Sequence, residues 1–147
     1  MKLPEYVTVE EVKRVCRELK IRDWTKLREA RVLPSEAKKV LAAVNASKMK
    51  IPPEDFRVGL EVELEHGLRF PDANVTNNHP VLTGLIVIAH FKESLDYYRL
   101  LDVAELEGDL VKAVAAGEME KVKKYYRRLA AARIALGQAE LKRSGAR

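Results

Sequence analysis

Apolar residues at the start of the chain recur every three or four positions. Val9, Val12, Val15, Cys16 and Leu19 make one stripe, the pattern of a helix with one buried face. Thr8 stands ahead of the stripe as an N-cap, and Glu11 completes a capping box three residues later. Asp23 is placed to cap a short second helix over 24–30. Pro34-Ser35-Glu36-Ala37 opens a third helix, which carries Val40, Leu41 and Val44 and stops at 45–47. The pair Pro52-Pro53 marks a break, and Pro53 suits the first turn of a fourth helix. That helix buries Phe56, Leu60 and Leu64 and ends near His66, with Gly67 in the usual stop position.

Residues 68–78 are polar and rich in Asn, a long loop of the kind that often carries function. Asn78 or His79 then caps a long fifth helix over 81–106, with Pro80 as its first residue. Gly108-Asp109 interrupts or ends it, and 110–116 form a short sixth helix stopped at Gly117. The last helix, over 118–141, buries Val122, Tyr125, Leu129, Ala132, Leu136 and Ala139, and the tail 143–147 frays. Val62-Glu63-Leu64-Glu65 alternates too briefly to make a strand. The expected fold is all-α, a compact bundle of about six helices in one domain. Within it, 1–50 supply the N-terminal helices, 53–106 the site helices, 109–143 the C-terminal helices and 144–147 the frayed tail.

Composition narrows the class. At 147 residues and 47% apolar content, the chain is long enough for a core. No apolar run approaches the ~18 residues of a membrane span; the longest candidate, 81–89, contains Thr83 and Gly84. The first five residues do not resemble a signal peptide, so a cytoplasmic location is expected. Cys16, the one cysteine, falls on the apolar stripe and reads as a small buried hydrophobe. One glutamine beside 33% charged residues hints at a hot environment.

Charge is uneven. Residues 1–54 carry a net +5, residues 55–109 a net −7 and residues 110–147 a net +7. The acidic middle favours cations and disfavours phosphate.

That middle segment holds the candidate chemistry. Glu63 and His66 are three apart on the fourth helix, and His90 and Glu93 are three apart on the fifth, so each pair shares a face. His90 and Glu93 interrupt an apolar stripe that runs from Ile86 to Tyr97, Leu100 and Leu101. A buried carboxylate is costly unless it is paired or ligates a metal. Glu63, His66, His90 and Glu93 together suit zinc, iron or manganese. Tyr97, one turn after Glu93, is placed to support a ligand by hydrogen bonding. Glu63-x-x-His66 matches the helical motif of di-iron bundles, but His90-x-x-Glu93 reverses it and the lone glutamates are missing. Two other readings fit the same residues: metal-free proton transfer or ligand binding, and a buried structural network with Arg57, Arg69 or Arg99 as counter-charge. Glu61 and Glu65 point away from Glu63 and read as solvated, with Glu65 a substitute ligand if the turn loosens at Gly67. His79 reads as a cap or loop residue.

These stretches resemble a small bacterial and archaeal family of unknown function. Its pattern is Gly-x-x-x-Glu-Leu-Glu-His-Gly, a polar loop, then His-Leu-x-Glu-x-x-Asp-Tyr-Tyr. Here the matching residues are Gly59, Glu63, Leu64, Glu65, His66 and Gly67, then His90, Glu93, Asp96, Tyr97 and Tyr98. Phe91 replaces the leucine. The resemblance covers 53–101 and leaves the N-terminal and C-terminal helices outside. It implies one site made of both stretches and supplies no reaction. From the residues, that site is expected between the fourth and fifth helices, with the 68–78 loop as a lid.

Two further classes remain. The basic last helix, with Tyr125 and Tyr126, suits nucleic acid or another acidic partner, although no helix-turn-helix signature accompanies it. Ala130, Ala131, Ala132, Ala135 and Ala139 would let a second helix approach closely, as in a homodimer. There is no glycine-rich phosphate loop, nucleophile elbow or Cys-x-x-Cys pair.

Overall fold

A computed structural model describes residues 7–145. Among them there are six α-helices and no strand: α1 (Val9–Glu18), α2 (Pro34–Val44), α3 (Pro53–Arg69), α4 (Pro80–Glu93), α5 (Tyr97–Ala115) and α6 (Met119–Ser144). The fold is an all-α bundle, as the apolar periodicity predicts. It divides into two compact units, one up to Glu93 and one from Ser94 onward. The readings made on residues 1–6 and 146–147 lie outside the described residues.

In the first unit, α1 starts where Thr8 Oγ1 accepts the Glu11 N–H at 3.2 Å. It buries Val12, Val15 and Cys16. Asp23 caps the next turn, its Oδ1 accepting the Thr25 N–H at 3.0 Å. That turn is a single 3-10 turn over Trp24–Lys26 rather than a helix reaching residue 30. A fully buried Trp24 fixes the segment after one turn.

Helix α2 is seated by Glu36, only 3% exposed. Its carboxylate accepts from the Arg22 N–H and Nε at 2.9 Å, from Arg22 Nη2 at 2.7 Å and from the Leu33 N–H at 3.0 Å. Burial pushes this carboxyl up, but the Arg22 guanidinium and the two backbone donors outweigh it and hold the group below its ordinary range. Helix α2 packs on α3 and α4. Gly84 permits the α4 contact, since a Cβ there would lie 2.8 Å from Val40 Cγ1 and 3.2 Å from Val44 Cγ1.

Helix α3 buries Phe56, Leu60 and Leu64 completely. It does not stop at Gly67 but continues to Arg69. Gly67 serves packing instead: a Cβ there would lie 2.3 Å from Asn78 Oδ1 and 2.9 Å from Asn74 Nδ2. The following loop folds back on this bare backbone. Asn74 Nδ2 donates to the Gly67 carbonyl at 3.2 Å and to Asn78 Oδ1 at 3.0 Å. Asn77 and Asn78 take left-handed backbone, with φ of 49° and 58°, a conformation asparagine tolerates. His79 caps α4 as expected, its Nδ1 accepting the Leu82 N–H at 3.2 Å.

The expected fifth helix is two helices. Helix α4 ends at Glu93 and α5 begins at Tyr97. Ser94 and Asp96 lie between them, and Ser94 Oγ accepts the Asp96 N–H at 3.1 Å, the kind of local side-chain bond that competes with helix continuation.

In the second unit, α5 and α6 form a hairpin. The predicted break at Gly108-Asp109 is absent, because α5 runs through it to Ala115. Gly117, just past the end of α5, takes a φ of 69°. The Glu118 N–H bonds the Ala113 carbonyl and the Gly117 N–H bonds the Val114 carbonyl, both at 3.0 Å, a Schellman stop. The stripe centred on Leu129 faces inward, with Leu129 itself buried. Helix α6 continues to Ser144, so Arg143 is not frayed; its guanidinium pairs with the buried Asp96. Ala132 and Ala139 are half-buried, while Ala130, Ala131 and Ala135 are exposed.

Candidate functional site

Two of the four proposed ligands come together. Glu63 Oε1 on α3 lies 3.5 Å from His90 Nε2 on α4, with side chains 15% and 26% exposed. Both are partly shielded by the packing of α3 against α4.

Glu63 also lines a cavity of about 160 Å³. Its wall includes His66 and Gly67 from α3, Phe70, Asn74 and Thr76 from the loop, and Thr83 and Ile86 from α4. His66 therefore reaches the same cavity as Glu63, although its side chain is exposed. Glu93 is also exposed and is not part of the wall. Among the described residues, no three His, Cys, Asp or Glu side chains are grouped so as to hold a metal ion.

Tyr97 is the first residue of α5, in the second unit. Its ring meets Tyr98 edge-on at 5.2 Å. The helical register that placed it one turn after Glu93 does not exist, because the helix breaks between them.

The surrounding charges are placed as follows. Glu61 is not solvated as expected: it accepts the Val32 N–H at 2.9 Å and pairs with Arg57. Glu65 is exposed, as expected. Arg57 also holds Glu54 at 2.5 Å, Arg99 holds Asp96 at 3.3 Å, and the Arg69 guanidinium lies 5.3 Å from the Phe70 ring centroid. His79 Nε2 lies 3.9 Å from Glu11 Oε1. Burial pulls this imidazole below its ordinary range, and Glu11 opposes the shift. Cys16 is buried, and burial raises its thiol; it reads as core.

Sequence reasoning missed the polar half of the cavity wall. Thr83 is 2% exposed and faces the cavity. Asn74 and Thr76 are linked, with Thr76 Oγ1 donating to Asn74 Oδ1 at 3.3 Å. The available signal was the run of asparagines after Gly67, a residue that leaves space for them.

No helix among the described residues is long and apolar enough to cross a membrane. No curated protein and no solved structure matches the chain. One family model does match, over residues 12–107, a wider span than the 53–101 resemblance and one that includes the N-terminal helices. It starts within α1, takes in the whole α3–α4 site and stops within α5, before α6. The chain belongs to this family, described as a protein of unknown function (DUF5661).

Proposed function

We propose that the α3–α4 cavity binds a small molecule bearing an amino or hydroxyl group, that Glu63 exchanges a proton with it, and that His90, which is not part of the wall, acts through Glu63. One observation carries this reading: Glu63 both lines the cavity and lies 3.5 Å from His90. A carboxylate and an imidazole so placed are the usual partners in general acid–base chemistry. No Lys or Arg lines the cavity, so an anionic ligand would find no counter-charge there. Within the first unit, residues 55–93 carry six acidic and three basic side chains, a net −3, which works in the same direction. The volume of about 160 Å³ suits a small ligand, since drug-sized sites are about 300–1,000 Å³.

A second reading is a divalent ion, zinc, iron or manganese, held by Glu63 and His90 with His66 and Glu93 swinging in. The spacing of the pair favours it. At 3.5 Å the two atoms are farther apart than a charge-assisted hydrogen bond of about 2.7–2.9 Å. They are close to the ~3.3 Å edge of a tetrahedron with bonds of about 2.0 Å.

Titration followed by amide NMR separates these readings. Ethanolamine, glycerol, acetate and Zn²⁺ are added in turn to the wild type and to Glu63→Gln. The first reading expects the amides of Glu63, Gly67, Asn74 and Thr83 to shift with ethanolamine or glycerol but not acetate, and the Glu63→Gln variant to lose the response. A stoichiometric response to Zn²⁺ alone selects the metal. Silence toward all four sinks both and leaves the pair as a structural contact.

A further inference from the structure

We infer that the α5–α6 hairpin is a self-association module, in which a second copy of this chain packs its own hairpin against the first to complete a four-helix bundle. The observation that raises this is how little the hairpin buries. Of the 19 residues of α5 and the 26 of α6, the buried apolar side chains are Tyr98, Leu106, Ala113 and Leu129. Two helices with so small a shared core fall far short of what an independently stable fold needs.

The missing core is present on the outside. Leu100, Val111 and Val114 on α5, and Tyr126, Ile134 and Leu141 on α6, are each 45–67% exposed. They are not scattered. At 3.6 residues per turn, each set forms a stripe rotated roughly 140° from its helix's inward stripe. Because the helices run antiparallel, both rotations lead to the same side of the hairpin. The ion pair of Arg133 Nη2 with Glu107 Oε1, at 2.6 Å, bridges the two helices on that side. The result is a face two helices wide whose apolar side chains flank that ion pair.

Charge identifies the occupant. Helix α5 carries four carboxylates against two basic side chains, a net −2, while α6 carries eight basic side chains against two carboxylates, a net +6. A two-fold axis along the bundle sets each α5 against the partner's α6, acidic on basic. It also keeps every neighbouring pair antiparallel. The alternative two-fold, across the helices, sets basic α6 on basic α6 and is opposed by repulsion. The chain thus carries both halves of a complementary surface, which is what an isologous dimer needs. The footprint is adequate: α5 alone is about 28 Å long, and two helices about 10 Å apart give roughly 500–600 Å² per partner, at the lower bound for a specific interface.

The test is sedimentation of the full chain from micromolar to submillimolar concentration. The expected species is a dimer, twice the 16.7 kDa of one chain. Ile134→Glu puts a charge at the centre of the apolar face and is expected to weaken association by roughly a hundredfold while far-UV helicity is kept. Val111→Glu reads the same face from α5, should Ile134→Glu lose its fold. Ala135→Glu, exposed and about 100° around α6 from Ile134, is expected to leave the dimer intact. A wild type that stays monomeric throughout overturns the proposal, whether or not it binds duplex DNA. So does a dimer that survives both stripe substitutions.

Discussion

Glu63 and His90 sit one on each of two packed helices, with Oε1 and Nε2 3.5 Å apart. Their contact exists only when α3 and α4 are assembled, so it reports tertiary structure rather than local sequence. Because both side chains are partly exposed, the pair itself contributes little stability. We expect Glu63→Gln and His90→Ala each to change unfolding free energy by less than about 1 kcal/mol while abolishing the amide response to ethanolamine. Urea denaturation beside the NMR titration checks both halves. A loss of several kcal/mol in either variant would instead mark the pair as a structural element.

Gly67 and Gly84 are needed for their missing side chains, at different places. Gly67→Ala would drive a methyl to 2.3 Å from Asn78 Oδ1, and Gly84→Ala would place one 2.8 Å from Val40 Cγ1. Each is expected to cost about 1–3 kcal/mol, the first with amide shifts concentrated in the loop 70–79. Gly108 lies mid-helix with nothing within 4 Å of its would-be Cβ, so Gly108→Ala is expected to stabilise by about 0.5–1 kcal/mol. Thermal unfolding of the three variants orders them, and a neutral Gly67→Ala would mean the loop is not seated on that backbone.

Two buried groups contribute to the acid sensitivity of the first unit. The Glu36 carboxyl is lower in the folded state than its ordinary 4.5, so its contribution is complete above that value and is lost as pH falls through the folded value. The His79 imidazole is lower than its ordinary 6.5, so the folded state favours its neutral form and stability falls as pH drops below 6.5. Urea midpoints measured from pH 8 to pH 3 are expected to fall in two stages. Glu36→Gln should shrink the lower stage and cost about 1–3 kcal/mol at pH 7, because it weakens a buried acceptor of the Arg22 and Leu33 N–H groups. His79→Gln should remove the upper stage alone.

Cys16 is buried, with its thiol raised above its ordinary 9.0 chiefly by burial. Few thiolates form near neutral pH, and the sulfur is shielded. Reaction with a disulfide reagent is expected to be slow in the native protein and to become fast in denaturant. Rapid native labelling would show that α1 opens readily.

The apolar stripes made most helices legible from the residues: Val12 to Cys16, Phe56 to Leu64 and the stripe through Leu129 all face inward. Punctuation was harder. Gly67 and Gly108 read as stops, yet both are helical. One makes room for Asn74 and Asn78, and the other is simply tolerated. Ser94 and Asp96 ended a helix that periodicity carried through them. In the site, the two helices that bear Glu63 and His90 were identifiable. Which donors meet was not, because helical spacing fixes a face and leaves the angle and height of the neighbouring helix open. For the same reason the Asn-rich loop was singled out without showing that Asn74 and Thr76 share a wall with Thr83, since a cavity wall drawn from three segments has no sequence period.

The contact of Gly84 with Val40 and Val44 also has a mechanical side. Helices meshed this closely cannot slide past one another without collision, so α2 and α4 move as one stiff strut. His90 stands six residues beyond Gly84, about 9 Å further along the axis, while Glu36 anchors the other member through Arg22.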